Sequence, residues 1–129
     1  MESIYQHIRN QVKWNGNFDF NANSDLSKVY RKGEGTSGEL NLLLLQAFKR
    51  AGLQAEPILI KTNNLGKPET VYPVYKQFNH VIIMVTIGNE NYLVDATGEN
   101  HSISQLPQYC LNTTGWLVDN KEFGWIDIK

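Results

Sequence analysis

The sequence predicts an α+β fold, with one buried helix packed on an antiparallel sheet, and two stretches carry the prediction. Residues 36–51 are apolar nearly all round and bounded by helix signals at both ends. Residues 79–87 and 91–96 read as a hairpin turning at Gly88-Asn89, or at Gly88-Asn89-Glu90. A chain of 129 residues suits one domain and can bury a real core.

The elements follow in order. Residues 2–14 read as a helix, with Ile4, Ile8 and Val12 four apart on one face, and Asn15-Gly16-Asn17 stops it. Ser24-Asp25 begins a short amphipathic piece through Leu26, Val29 and Tyr30, which Arg31-Lys32-Gly33 closes. Gly33-Glu34-Gly35 is expected to be a flexible approach to the central helix. That helix opens on Thr36-Ser37-Gly38-Glu39, a capping box with Thr36 as N-cap and Glu39 reaching back to its N–H. Leu40, Leu42, Leu43, Leu44, Leu45, Ala47 and Phe48 make it a core helix. Lys49 and Arg50 suit its negative end, and Gly52 terminates it.

Residues 55–61 read as a strand containing Ile58-Leu59-Ile60, with Pro57 near its start, where a missing N–H is tolerated. Residues 62–73 are polar and read as a loop. In the hairpin, Val81, Ile83, Val85 and Ile87 share one face with Tyr92, Val94 and Ala96. Residues 103–106 are expected to form one helical turn before Pro107, and Gly115-Trp116-Leu117-Val118 and residues 123–128 to form strands.

Composition narrows the function. Twelve Lys+Arg against thirteen Asp+Glu leave a net charge of −1, so there is no basic footprint for nucleic acid. No run of roughly 18 apolar residues could form a transmembrane segment. The first residues, Met1-Glu2-Ser3-Ile4-Tyr5, lack the charged-then-apolar pattern of a secretory leader. Cys110 is the single cysteine, so no intramolecular disulfide forms. His7, His80 and His101 are far apart in sequence and none has metal-ligand spacing; neither metal nor cofactor is expected.

Ser37, His80 and Asp95 are the candidate site residues. A hydroxyl at a helix start, an imidazole leading one apolar strand and a carboxylate ending the next are the parts of a nucleophilic triad. With a two-residue turn Ile87 faces Glu90, Ile82 faces Asp95 and His80 faces Thr97. His80 and Asp95 then share a face as diagonal neighbours, roughly 7–8 Å apart at the backbone. A three-residue turn would separate them unless a bulge restored the parity. Ser37 at the first helical position has a main-chain N–H unpaired within the helix, a ready oxyanion donor. Each residue alone has a plainer role: Ser37 as a helix-start residue, His80 as a core histidine, Asp95 as a turn cap. Cys110, after Pro107-Gln108-Tyr109, is a rival nucleophile with the burial of an ordinary free cysteine as its alternative.

Taken together, Gly35-Thr36-Ser37 opening the helix, Arg50-Ala51-Gly52-Leu53-Gln54-Ala55 ending it, Phe78-Asn79-His80-Val81 and Tyr92-Leu93-Val94-Asp95-Ala96-Thr97 resemble the transglutaminase-like superfamily. The resemblance covers about residues 30 to 98. It implies a papain-like core and a Cys-His-Asp triad, with Ser37 standing where the family has its cysteine. It is closest to transglutaminase-like domains inside larger cell-envelope proteins of Bacteroides-type bacteria, which implies a domain excised from such a protein. A cysteine attacks as a preformed thiolate, whereas a serine must lose its proton during attack. The expectation is therefore a catalytically degenerate domain, a binding or scaffolding module. Its groove between helix and sheet, near Trp14, Tyr72, Tyr75 and Phe78, would take peptide, protein or glycan. The alternative is an enzyme cutting or transferring amide or ester bonds through Ser37, His80 and Asp95.

Overall fold

The computed structural model describes residues 1–22, 25–68, 77–97, 103, 105–111, 113–118 and 124–128. Within them, α1 (Glu2–Gln11), β1 (Lys13–Trp14), α2 (Leu26–Lys32), β2 (Glu34–Gly35) and α3 (Ser37–Arg50) precede the main sheet. Then come β3 (Gln54–Ile60), β4 (His80–Ile87), β5 (Glu90–Val94), β6 (Thr113–Leu117) and β7 (Gly124–Ile128). The five strands β3 to β7 form one antiparallel sheet in the order β5-β4-β3-β6-β7, so the fold is α+β.

The α3 helix forms where its signals lie. Thr36 Oγ1 accepts from Glu39 N at 3.2 Å, and Glu39 Oε1 accepts from Thr36 N at 3.0 Å, completing the capping box. Leu40, Leu44 and Phe48 repeat every four residues and are buried. They pack with Tyr5, Ile8 and Val12 of the N-terminal region, Val29 of α2, and Ala55, Ile83, Val85 and Val94 of the sheet. The opposite sheet face is buried too: Ile58, Ile60, Ile82 and Ile128 close over Cys110. Residues alternate between these two clusters along β3 and β4, as period two requires. Both faces of β4 are covered, so His80, Val81, Ile82 and Ile83 are all fully buried.

The hairpin turns on two residues, with Ile87 opposite Glu90 and Ile83 opposite Val94. Gly88 takes a φ of 64°, the left-handed conformation a tight hairpin turn needs. The next step of the register sets Asp95 against Ile82, on the face that carries His80.

Three expectations are corrected. The first helix ends at Gln11, not at residue 14. Val12 turns extended, and Lys13-Trp14 pair in parallel with Glu34-Gly35. Within that approach Glu34–Gly35 is thus a strand, held because Lys13 N and Asn15 N bond to the carbonyls of Gly33 and Gly35. Ile87 and Tyr92 keep the expected face, with Tyr92 opposite Val85, and are exposed at the sheet's margin. The short helical turn lies after Pro107, at Gln108–Cys110; residue 104 is outside the described set. Pro107 starts that turn because its fixed φ suits the position before a first helical residue. Residues 69–76 of the expected loop, with Tyr72 and Tyr75, also lie outside the described residues.

Packing makes the core test simple. Leu44→Ala, at a fully buried position, should cost about 2–5 kcal/mol of unfolding free energy in urea titrations. Leu65→Ala, at a position 51 % exposed, should stay within about 0.5 kcal/mol of wild type.

Candidate functional site at the start of α3

The hairpin register brings His80 and Asp95 together. His80 Nε2 lies 2.6 Å from Asp95 Oδ2, and both side chains are fully buried. An ionised carboxylate only accepts, so Nε2 carries the proton of this bond. Asp95 Oδ1 accepts from Asn41 Nδ2 at 2.8 Å, Thr97 N at 2.9 Å and Thr97 Oγ1 at 2.7 Å. Cys110 Sγ–H adds a second bond to Oδ2 at 3.3 Å. Burial pushes the Asp95 carboxyl up, but the electrostatic attraction of His80 and the bonds from His80, Asn41 and Thr97 outweigh it. The group is held well below the usual carboxylate range.

Asn41 ties this pair to α3. Its Nδ2 also donates to Val81 O at 2.7 Å, and its Oδ1 accepts from Ala96 N at 2.9 Å. It lies one helical turn beyond Ser37, a buried amide in a run of leucines. Sequence reasoning passed over it, although a polar residue four positions after a candidate site residue was a usable signal. Arg9 of α1 supports the same corner by donating to Ala96 O at 2.9 Å.

Ser37 is placed differently. It is fully buried, and its Oγ donates to Asp19 O at 3.0 Å and accepts from Asp19 N at 2.8 Å. Its main-chain N–H, the expected oxyanion donor, is occupied by Asn17 O at 2.9 Å. The second nitrogen of His80, Nδ1, is buried and has no hydrogen-bond partner, so no bond joins Ser37 to the histidine. Residues 17–19 touch both, Asn17 and Asp19 at Ser37 and Phe18 at the histidine. Phe18 sits edge-on to the His80 ring at 5.4 Å, and Tyr109 flanks the same ring at 5.8 Å.

That segment is held tightly. Trp14 Nε1 donates to Asn17 O at 2.8 Å, and the Trp14 ring packs at a tilt against Phe18 with centroids 5.0 Å apart. A Cβ on Gly38 would meet Asp19 O at 2.6 Å and Asn21 O at 2.8 Å, so the main chains approach as only glycine allows. No local pattern in residues 15–21 announces this; the placement follows from the β1–β2 pairing on either side of α2. Of the aromatic residues expected near a cleft, Trp14 lies here. Phe78 is instead buried with Leu59, Val81 and Trp116.

Cys110 has the environment of an inert thiol. Burial pushes it up first, and the Asp95 charge and hydrogen bond push it further, so the thiolate is suppressed. The ligand atoms of His80, Asp95 and Cys110 all lie within 4.8 Å of one another, the one cluster of potential metal donors among the described residues. It is assembled from distant positions, which sequence spacing could not reveal. The two protons shared with Oδ2 account for the arrangement, and Nδ1 has no acceptor to orient it as a metal ligand's second nitrogen usually has.

The chain matches no family model, no curated protein sequence and no solved structure.

The depressed Asp95 carboxyl carries a pH signature. Its folded value lies below its unfolded value of about 4, so its contribution is fully present above that pH and fades as pH falls toward the folded value. Asp95→Asn should cost about 3–5 kcal/mol at pH 7, because it removes the buried charged acceptor on which His80, Asn41, Thr97 and Cys110 converge. It should also flatten the acid limb. Urea midpoints from pH 7 down to about pH 3 should fall more steeply in wild type than in the variant. Parallel profiles would show that Asp95 is not the titrating group.

Proposed function

We propose that this chain is a transglutaminase-like domain that binds rather than catalyses, working as a recognition or scaffolding module within a larger bacterial cell-envelope protein. The likeness rests on Gly35-Thr36-Ser37 at the start of a buried helix, followed by His80 and Asp95 on adjacent antiparallel strands. The paired His80 and Asp95 support it. The observation that carries the loss of catalysis is the state of Ser37. Its hydroxyl is bonded on both sides to the Asp19 main chain, and its N–H is filled by Asn17. A serine must be deprotonated as it attacks, and here its proton points to a carbonyl instead of an imidazole.

The binding surface is a groove of about 340 Å³ between α3 and the sheet, walled by Phe20, Leu42, Pro57, Leu59, Val81 and Val118. It is apolar apart from Asn21, so an extended peptide carrying an apolar side chain is the ligand class it suits.

A second reading, acyl transfer or hydrolysis at amide or ester bonds by a Ser-His-Asp triad, is favoured by the unpartnered Nδ1 of His80. In an active triad that nitrogen would take the serine proton while Asp95 balanced the imidazolium. A fluorophosphonate probe separates the two. The binding reading predicts no covalent labelling by intact-mass spectrometry; labelling that disappears in both Ser37→Ala and His80→Ala would establish the enzyme.

A further inference from the structure

We propose that residues 17–21 are a built-in plug, an intramolecular peptide seated in the site at the start of α3 and separating its ligand groove from His80. This rests on the reading of that corner as a peptide site.

The first support is that the segment is bound as a ligand's main chain would be. Two of its carbonyls and one of its N–H groups meet Ser37: Asn17 O takes the Ser37 N–H, and Asp19 O and N take the Ser37 hydroxyl. These contacts read no side chain of residues 17 or 19, so any extended peptide offers the same groups. The Asn17 carbonyl also occupies the positive end of the α3 dipole, where a developing negative oxygen or a ligand carbonyl gains most.

The second support is His80. A buried imidazole nitrogen without a partner costs free energy, and the Phe18 ring packed edge-on to that imidazole offers it none. The aromatic ring between the two bonded carbonyls thus lies against a polar group that a different occupant could satisfy. A plug that fits its main-chain partners but leaves one buried nitrogen unmet is suited to exchange.

The third is continuity with the groove. Phe20 and Asn21 form one wall of the 340 Å³ groove, while Asn17 and Asp19 hold Ser37. Withdrawal of this one segment therefore removes a groove wall and uncovers Ser37 and His80 together. The ligand class that follows is an extended peptide with an aromatic side chain next to the carbonyl bound at Ser37 N–H, following the pattern of Asn17-Phe18-Asp19.

The test uses a thiol as reporter. Ser37→Cys places one at the plugged position, and the native Cys110 serves as a slow internal reference because it is buried. Gly38→Ala is the displacing change. Its Cβ collides with Asp19 and Asn21 main chain, while alanine favours the helix that carries it. Iodoacetamide alkylation at position 37 should be slow in Ser37→Cys alone and about tenfold faster or more when Gly38→Ala is added. Phe18→Ala, which removes the cover without a collision, should act in the same direction and guards against misfolding in the first variant. A synthetic peptide of residues 15–21 added in trans should slow alkylation again in Ser37→Cys combined with Phe18→Ala, where Gly38 is kept and still admits the segment. Equal rates with and without Gly38→Ala and Phe18→Ala, in proteins with native circular dichroism, would overturn the plug. A peptide that gives no protection would equally overturn it. Fluorophosphonate labelling of the wild type would sink the binding reading of the site while leaving these rate comparisons to judge the plug separately.

Discussion

Everything near the site hangs on one buried carboxylate. Asp95 receives three hydrogen bonds on Oδ1, from Asn41 and twice from Thr97, and two on Oδ2, from His80 and Cys110. Those donors come from α3, from the first residue of β4, from the turn after β5 and from the turn before β6. A carboxylate taken out of water is costly unless its lone pairs are filled, and here both oxygens are. The same bonds that make its burial tolerable fasten the helix to both faces of the sheet's end. They also fix the tautomer of His80, because Nε2–H is committed to Asp95 and only Nδ1 is left for anything else.

That arrangement gives the His–Asp pair a structural role that does not involve Ser37. Removing either partner would strand a buried polar group, so the pair serves the fold whatever stands at position 37. Cys110 follows the same logic. It is the chain's one thiol, but its proton bonds to the carboxylate, and both burial and that neighbouring charge oppose the thiolate a nucleophile needs. The corner thus has an imidazole, a thiol and a hydroxyl within one region, and each is tied to something other than a substrate. Tyr109, whose hydroxyl meets Thr97 Oγ1 at 2.6 Å and whose ring flanks His80, closes the set.

The parts legible in the sequence were those with local causes. The α3 helix announces itself through its capping box, its leucines and Gly52, and its observed bounds differ from the expected ones by a residue at each end. The His80–Asp95 pairing was readable because hairpin register is arithmetic once a two-residue turn is granted, and Gly88 supplies that turn. What was not legible depended on chain segments meeting from far away. Lys13-Trp14 looked like the end of a helix because Val12 continues its apolar spacing; long-range pairing with Glu34-Gly35 overrode that pattern. The same pairing lays residues 15–21 across Ser37, so the fate of the candidate nucleophile was decided by a segment whose own sequence reads as a plain turn. Cys110 reached Asp95 by a similar long-range fold of the chain after β5, and Asn41 was hidden by the leucines around it.

The central claim is that His80 is coupled to Asp95 and not to Ser37. Nitrogen-15 NMR of the His80 ring in wild type, Ser37→Ala and Asp95→Asn tests it most directly. The account predicts that Ser37→Ala leaves the tautomer of His80 as in wild type, while Asp95→Asn changes it. A displacement of the Nδ1 resonance in Ser37→Ala as large as in Asp95→Asn would contradict it, and would join Ser37 to His80 in a working triad.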